Sequence, residues 1–174
     1  MSHGLIESLV ATGPHPSLGA HADTYGRVIG SWTGELSLYQ DRKCVASASV
    51  EVHFGWVLEG RAVQDVWITP ARLDRRSNAG AVVNWYGTTL RVFEPATGAW
   101  HVTWTDPMSQ LRIELVGRRQ GDEIVQIGTR AGRPIRWTFS DITPGSFIWR
   151  GHILNLDGVS WDPEVEMKFR RSEA

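Results

Sequence analysis

The sequence predicts an all-β protein: an antiparallel up-and-down β-barrel of about eight to ten strands, preceded by a short N-terminal helical arm. Three observations lead there. Apolar residues recur at every second position from Gly30 onward, turn residues cut this pattern into strand-length pieces, and the 174 residues include nine tryptophans. A sheet of that many strands without covering helices has to fold over or close on itself, because open edges and flat sheets of this size are unstable. Indole rings are large and carry one N–H that needs an acceptor, so nine of them call for a wide aromatic-lined interior.

Residues 1–29 read as the arm or lid and residues 30–171 as the barrel. In the arm, Leu5, Ile6, Leu9 and Val10 stand at helical spacing, a Gly/Pro/His stretch runs from Gly13 to Gly19, and Ala22 to Ile29 suits a further helical turn closing one barrel end. In the first strand Trp32, Gly34, Leu36 and Leu38 alternate with Thr33, Glu35, Ser37 and Tyr39, and in the second the apolar set is Cys44, Ala46, Ala48, Val50, Val52 and Phe54. Further strands are expected near 57–68, 81–93, 99–105, 110–118, 123–130, 134–142, 147–154 and 161–171.

Turn chemistry sets the expected registers. Glu94-Pro95-Ala96-Thr97-Gly98-Ala99 suits a three-residue loop with Gly98 left-handed, pairing Val92 with Val102 and Leu90 with Trp104. Pro144-Gly145-Ser146 aligns Asp141 with Trp149, gathering Trp137, Phe139, Phe147, Trp149 and Ile153 on one face and Arg136, Thr138, Ser140, Arg150 and His152 on the other. Asp157-Gly158 reads as a two-residue turn bringing Leu154 opposite Trp161. Residues 71–80 form the longest irregular stretch, expected to be a mobile loop at the barrel mouth.

Charge and composition exclude several functions. With 18 basic against 19 acidic residues, the net charge of −1 provides no field for nucleic acid or an anionic membrane. No run is apolar enough to cross a bilayer as a helix. The stretch before Ala11 has no preceding Lys or Arg and is broken by Glu7, unlike a secretory signal, and the lone Cys44 suits a reducing compartment; a cytoplasmic location follows as the expectation. The six histidines lack metal-ligand spacing, and no cofactor is expected. Gly117 and Gly121 flank Arg118 and Arg119 at a hairpin tip, where a phosphate loop would need a strand-to-helix turn. Cys44 and His53 lie roughly 30 Å apart in an extended strand and on opposite faces, too far for a nucleophile and its base.

Two motifs carry a resemblance. Val28-Ile29-Gly30-Ser31-Trp32-Thr33-Gly34-Glu35 resembles the Gly-x-Trp signature opening the first strand of calycins, the lipocalin and fatty-acid-binding-protein barrels, and Glu166-Met167-Lys168-Phe169-Arg170-Arg171 resembles their last strand. The resemblance implies that Arg170, or Arg171, lies over Trp32 and closes the barrel. Gly87 to Pro95, Trp100 to Trp104 and Asp157 to Trp161 are also similar to a bacterial family of lipocalin-like proteins, which implies a fold without an activity. A distant similarity to nitrobindin makes His152 the position for a heme ligand, although the alternation above puts it on the face with Arg136 and Arg150.

The residues leave more than one function open. The first is binding of a hydrophobic or aromatic small molecule by Trp67, Trp85, Tyr86, Trp104, Trp137 and Trp149. The second is a cofactor-independent cyclase or isomerase of a secondary metabolite, with Asp65, Tyr86 and Asp141 as acid or base, because a carboxyl group held against indoles exchanges protons more readily near neutral pH. Heme binding through His152 and a packed structural barrel come after these. The expected partner is an apolar or aromatic small molecule, and a homodimer stays open.

Overall fold

The computed structural model describes residues 4–75 and 81–172. A short helix α1 (Gly4–Leu9) leads into a two-residue strand β1 (Val10–Ala11), a 3-10 helix (Pro16–His21) and α2 (Ala22–Gly26). Ten barrel strands follow: β2 (Gly30–Gln40), β3 (Lys43–Val57), β4 (Ala62–Thr69), β5 (Trp85–Glu94), β6 (Ala99–Asp106), β7 (Leu111–Gln120), β8 (Glu123–Arg130), β9 (Arg133–Ser140), β10 (Ser146–Leu154) and β11 (Trp161–Arg171), with one helical turn, α3 (Arg72–Arg75), between β4 and β5. Each barrel strand pairs antiparallel with its sequence neighbours, and β11 returns to pair with β2, so the sheet closes without an exposed edge.

Two-residue links at Asp41-Arg42, Gly121-Asp122 and Ala131-Gly132 join three of the hairpins, and in all but Asp122 the link residues have positive φ. Such turns twist in the same sense as the strands they join. Register then follows from alternation. Inward positions are even in β2 and β3, odd in β4 and β5, and even in β6, as the pairs Trp32 with Val52, Val52 with Trp67, Trp67 with Gly87, and Thr89 with Trp104 require.

Two expected registers change here. The β5–β6 loop holds four residues, 95–98, so Val102 pairs with Arg91 and Trp104 with Thr89. Leu90 and Val92 therefore face outward, and Arg91 turns into the barrel. In the β9–β10 hairpin Trp149 pairs with Phe139 and not with Asp141, a shift of two that leaves the face assignment intact. Leu154 does pair with Trp161, but across the six-residue loop 155–160.

One half of the barrel is solid. Phe54, Phe139, Phe147 and Phe169 pack with Trp32 in a cluster whose ring centroids lie 4.7–6.2 Å apart where they touch, with Phe147 stacked on Phe169 at 4.7 Å. The arm plugs this end. Tyr25 and Val28 are fully buried, the Tyr25 ring meets Trp100 edge-on at 5.1 Å, and its hydroxyl donates to Gln126 Oε1 at 2.9 Å. Gly117 makes this possible, since a Cβ there would lie 2.3 Å from the Tyr25 hydroxyl. The face of α1 behaves otherwise: Leu5 and Ile6 are exposed, and Val10 leaves the helix to pair with Val57.

The end is sealed by Arg171, not Arg170. Met167, Phe169 and Arg171 share the inward phase of β11, which leaves Arg170 outward and exposed. The Arg171 guanidinium lies 4.0 Å from the Trp32 ring centroid and donates to Ile29 O at 3.0 Å and Pro144 O at 2.6 Å. Gly30, at φ +125°, is required by this contact, because a Cβ there would sit 2.3 Å from Arg171 Nη1. Arg171→Ala is expected to lower the unfolding free energy by about 1 kcal/mol in urea denaturation, and Arg170→Ala to leave it within about 0.5 kcal/mol. Equal losses would contradict the assignment.

Candidate functional site

The other half of the barrel is hollow. Going from the solid end toward Leu38, Trp85, Asp106, Arg130 and Glu164, the interior opens into a cavity of about 210 Å³ that leads to solvent between the strand ends. Its mouth lies at the end remote from the N-terminal arm, so the arm does not cover it. The β4–β5 connection, which holds α3, is at the mouth end; residues 76–80 of the loop expected to be mobile lie outside the described residues.

Five indoles form the walls: Trp67, Trp85, Trp104, Trp137 and Trp149. Trp149 meets Trp137 at 5.5 Å and Trp67 at 5.7 Å, both tilted by nearly 60°. Inward glycines hold these rings against the wall. A Cβ on Gly87 would come within 2.4 Å of the Trp104 ring, and one on Gly151 within 3.1 Å of Trp149. Removing side chains at those two positions lets two large rings lie flat along the sheet, which preserves space at the centre.

The floor is polar and was not anticipated. Arg91, 1% exposed, donates from Nη1 to Asp65 Oδ2 at 2.5 Å and from Nε to Gln126 Oε1 at 3.4 Å. Its guanidinium also lies 4.9 Å from the Tyr25 ring centroid, 5.5 Å from Phe54 and 5.9 Å from Phe139. Asp65 is likewise 1% exposed and accepts the Thr89 amide at 2.7 Å. Burial raises the Tyr25 phenol above its ordinary pKa, so it stays protonated and serves as the donor to Gln126. At the rim, Asp106 accepts the Met108 amide at 2.9 Å and the Ser109 hydroxyl at 2.6 Å, and Arg130 is ion-paired with Glu164.

The structure brings together five of the six residues expected to bind a ligand. Tyr86 is the exception: it follows Trp85 on the opposite face of β5, 42% exposed, beneath the Arg75 guanidinium. The residues named for acid–base chemistry are dispersed. Asp65 is inside but held by Arg91, Tyr86 is outside, and Asp141 is exposed in the turn after β9, where its carboxylate accepts the Ser140 hydroxyl at 3.0 Å. His152 lies on the outer face of β10 opposite Arg136, with its pKa lowered by partial burial and by the Arg136 and Arg150 charges. Among the described residues no histidine lines the cavity, so the residues present do not fit a heme held from inside by His152.

A closed antiparallel ten-stranded barrel with a plugged end and an open, side-chain-lined end is a calycin-like, lipocalin-type fold. Solved structures share it. Rv2717c from M. tuberculosis superposes with a TM-score of 0.63 at 15% identity, covering 92% of this chain and 99% of its own, and the S-type phycobiliprotein lyase CPES from Guillardia theta with a TM-score of 0.56 at 10% identity, covering 87% and 92%. At these identities the likeness is one of fold alone. No protein-family model matches the chain, and no curated protein sequence matches it. No helix among the described residues is long and apolar enough to cross a membrane.

The buried pair supports a direct test. Arg91→Met strands the Asp65 carboxylate in the interior and is expected to cost about 3–5 kcal/mol of stability, whereas Arg91→Met with Asp65→Leu recovers most of that loss. Chemical denaturation of the two variants checks it, and a double variant no more stable than the single one would contradict the pairing.

Proposed function

We propose that the barrel binds a small hydrophobic or aromatic molecule in the indole-lined cavity. The observation that carries this reading is a hollow half-barrel, walled by five tryptophans and open at one end, inside a protein whose other half is packed solid. A barrel stabilised only by its core has no reason to hold large aromatic rings against the wall with inward glycines. The cavity volume falls between the ~150 Å³ that accommodates a benzene ring and the ~300 Å³ lower bound of drug-sized pockets, which suits a ligand of one or two rings. Burying about 300 Å² of apolar ligand surface gives roughly 7 kcal/mol before the cost of association, enough for reversible uptake.

The solved neighbour from Guillardia theta is a phycobiliprotein lyase, and its likeness in fold supports a barrel built around a small molecule. Membership of the lipocalin-like group and an apolar ligand belong to this proposal. So does a cytoplasmic location, which the exposed, unpaired Cys44 suits.

Tryptophan fluorescence provides the test. Titration with apolar one- and two-ring compounds is expected to quench the emission saturably, and Trp149→Ala to weaken the tightest of them by about tenfold or more, as the loss of a central aromatic anchor does. Absence of saturable quenching, together with no co-purified small molecule in native mass spectrometry, would end this reading.

A further inference from the structure

Donors outnumber free acceptors on the cavity walls. Each of the five lining indoles presents one N–H and no acceptor. Two indoles of the solid half differ: Trp32 donates to Val28 O at 2.8 Å, and the Trp100 N–H is fully buried without a partner. The N–H groups of Trp67, Trp85, Trp104, Trp137 and Trp149 fall in neither case. Among the described residues none of them donates to a protein acceptor and none is fully buried, so each keeps accessible surface on a residue that lines the cavity.

Fewer acceptors are free: the Thr89 and Ser109 hydroxyls and the second Glu164 oxygen, while the carboxylates already take donors. The Asp106 carboxylate takes the Met108 amide and the Ser109 hydroxyl, Glu164 takes Arg130, and Asp65 below the floor takes Arg91 and the Thr89 amide. A ligand entering here meets aromatic faces and unspent donors. A hydrogen-bond donor on that ligand would find few acceptors and would lose its water for nothing.

Charge narrows the class further. Arg91 and Arg130 are each paired with a carboxylate, while Asp106, 1% exposed, has no cationic partner among the described residues. The lining thus carries one uncompensated negative charge, which opposes an anionic ligand in this low-dielectric space. Resting on the binding role proposed above, we infer that the cavity takes up an uncharged aromatic compound whose edge carries hydrogen-bond acceptors, of the aryl-ketone or quinone type.

One ring system with four substituents tests this by isothermal titration calorimetry on the full chain: naphthalene, acetylnaphthalene, naphthylamine and naphthoate. Acetylnaphthalene is expected to bind about tenfold tighter than naphthalene, the worth of a desolvated hydrogen bond, with naphthylamine and naphthoate both weaker than the ketone. Single Trp→Phe changes at the five lining positions keep an aromatic ring and remove the N–H; in at least one of them the ketone-to-naphthalene affinity ratio is expected to fall toward one. Equal binding of naphthalene and acetylnaphthalene, tightest binding of the amine or the carboxylate, or an unchanged ratio in all five variants would overturn the acceptor class while leaving an aromatic-binding cavity in place. Failure of all four probes, naphthalene included, would remove the cavity reading as well.

Discussion

The buried ion pair of Arg91 and Asp65 determines how this barrel is divided. Taking a guanidinium and a carboxylate out of water costs several kcal/mol for each ion, and the fold offsets this with a close pair, the Thr89 amide, Gln126 and three aromatic rings around the guanidinium. These partners come from β3, β4, β5, β8, β9 and α2 at once. A slip in any of those elements would leave a charge unpaired, so the pair holds their relative positions far more strictly than apolar packing does. It also marks the boundary between the two halves of the interior, with a solid aromatic cluster on one side and the cavity on the other.

The two halves use the same residue types for opposite ends. In the plugged half, phenylalanines interlock with Trp32, and the arm contributes the fully buried Tyr25, whose ring bridges Phe139 and Trp100. In the open half, Gly87 and Gly151 allow tryptophans to lie against the wall, and the rings bound a cavity that they do not fill. Ten strands enclose more volume than their side chains occupy, so something must take up the difference. Here it is an added arm at one end and a cavity at the other. The donor-rich walls of that cavity then limit the chemistry of what enters.

Much of this was legible in the chain. The change of period at Gly30, the ten strands and the faces of β9 and β10 follow from alternation between turn residues, because in a strand the side chain two positions away always points the same way. Five of the six expected ligand-contacting residues line the cavity for the same reason. On β5 the error is one of phase. Leu90 and Val92 suggested an inward apolar face, yet Trp85, Gly87, Thr89, Arg91 and Phe93 hold the inward phase, and the four-residue loop enforces it. The inward Asp65 was the available signal, since a buried carboxylate requires a cation nearby. The same attention to phase on β11 singles out Arg171 over Arg170.

By itself the sequence determined an all-β meander with aromatic residues turned inward, for two-residue periodicity and turn chemistry are local properties written in consecutive residues. Only the tertiary structure decided which end is solid, where the arm sits, and that Arg91 meets Asp65, Gln126 and Tyr25. These contacts join residues up to 101 positions apart, as Tyr25 and Gln126 are, and depend on how the sheet curves to close. The hollow itself is of that kind: it is set by the volume left after ten strands have met, a quantity that no single segment contains.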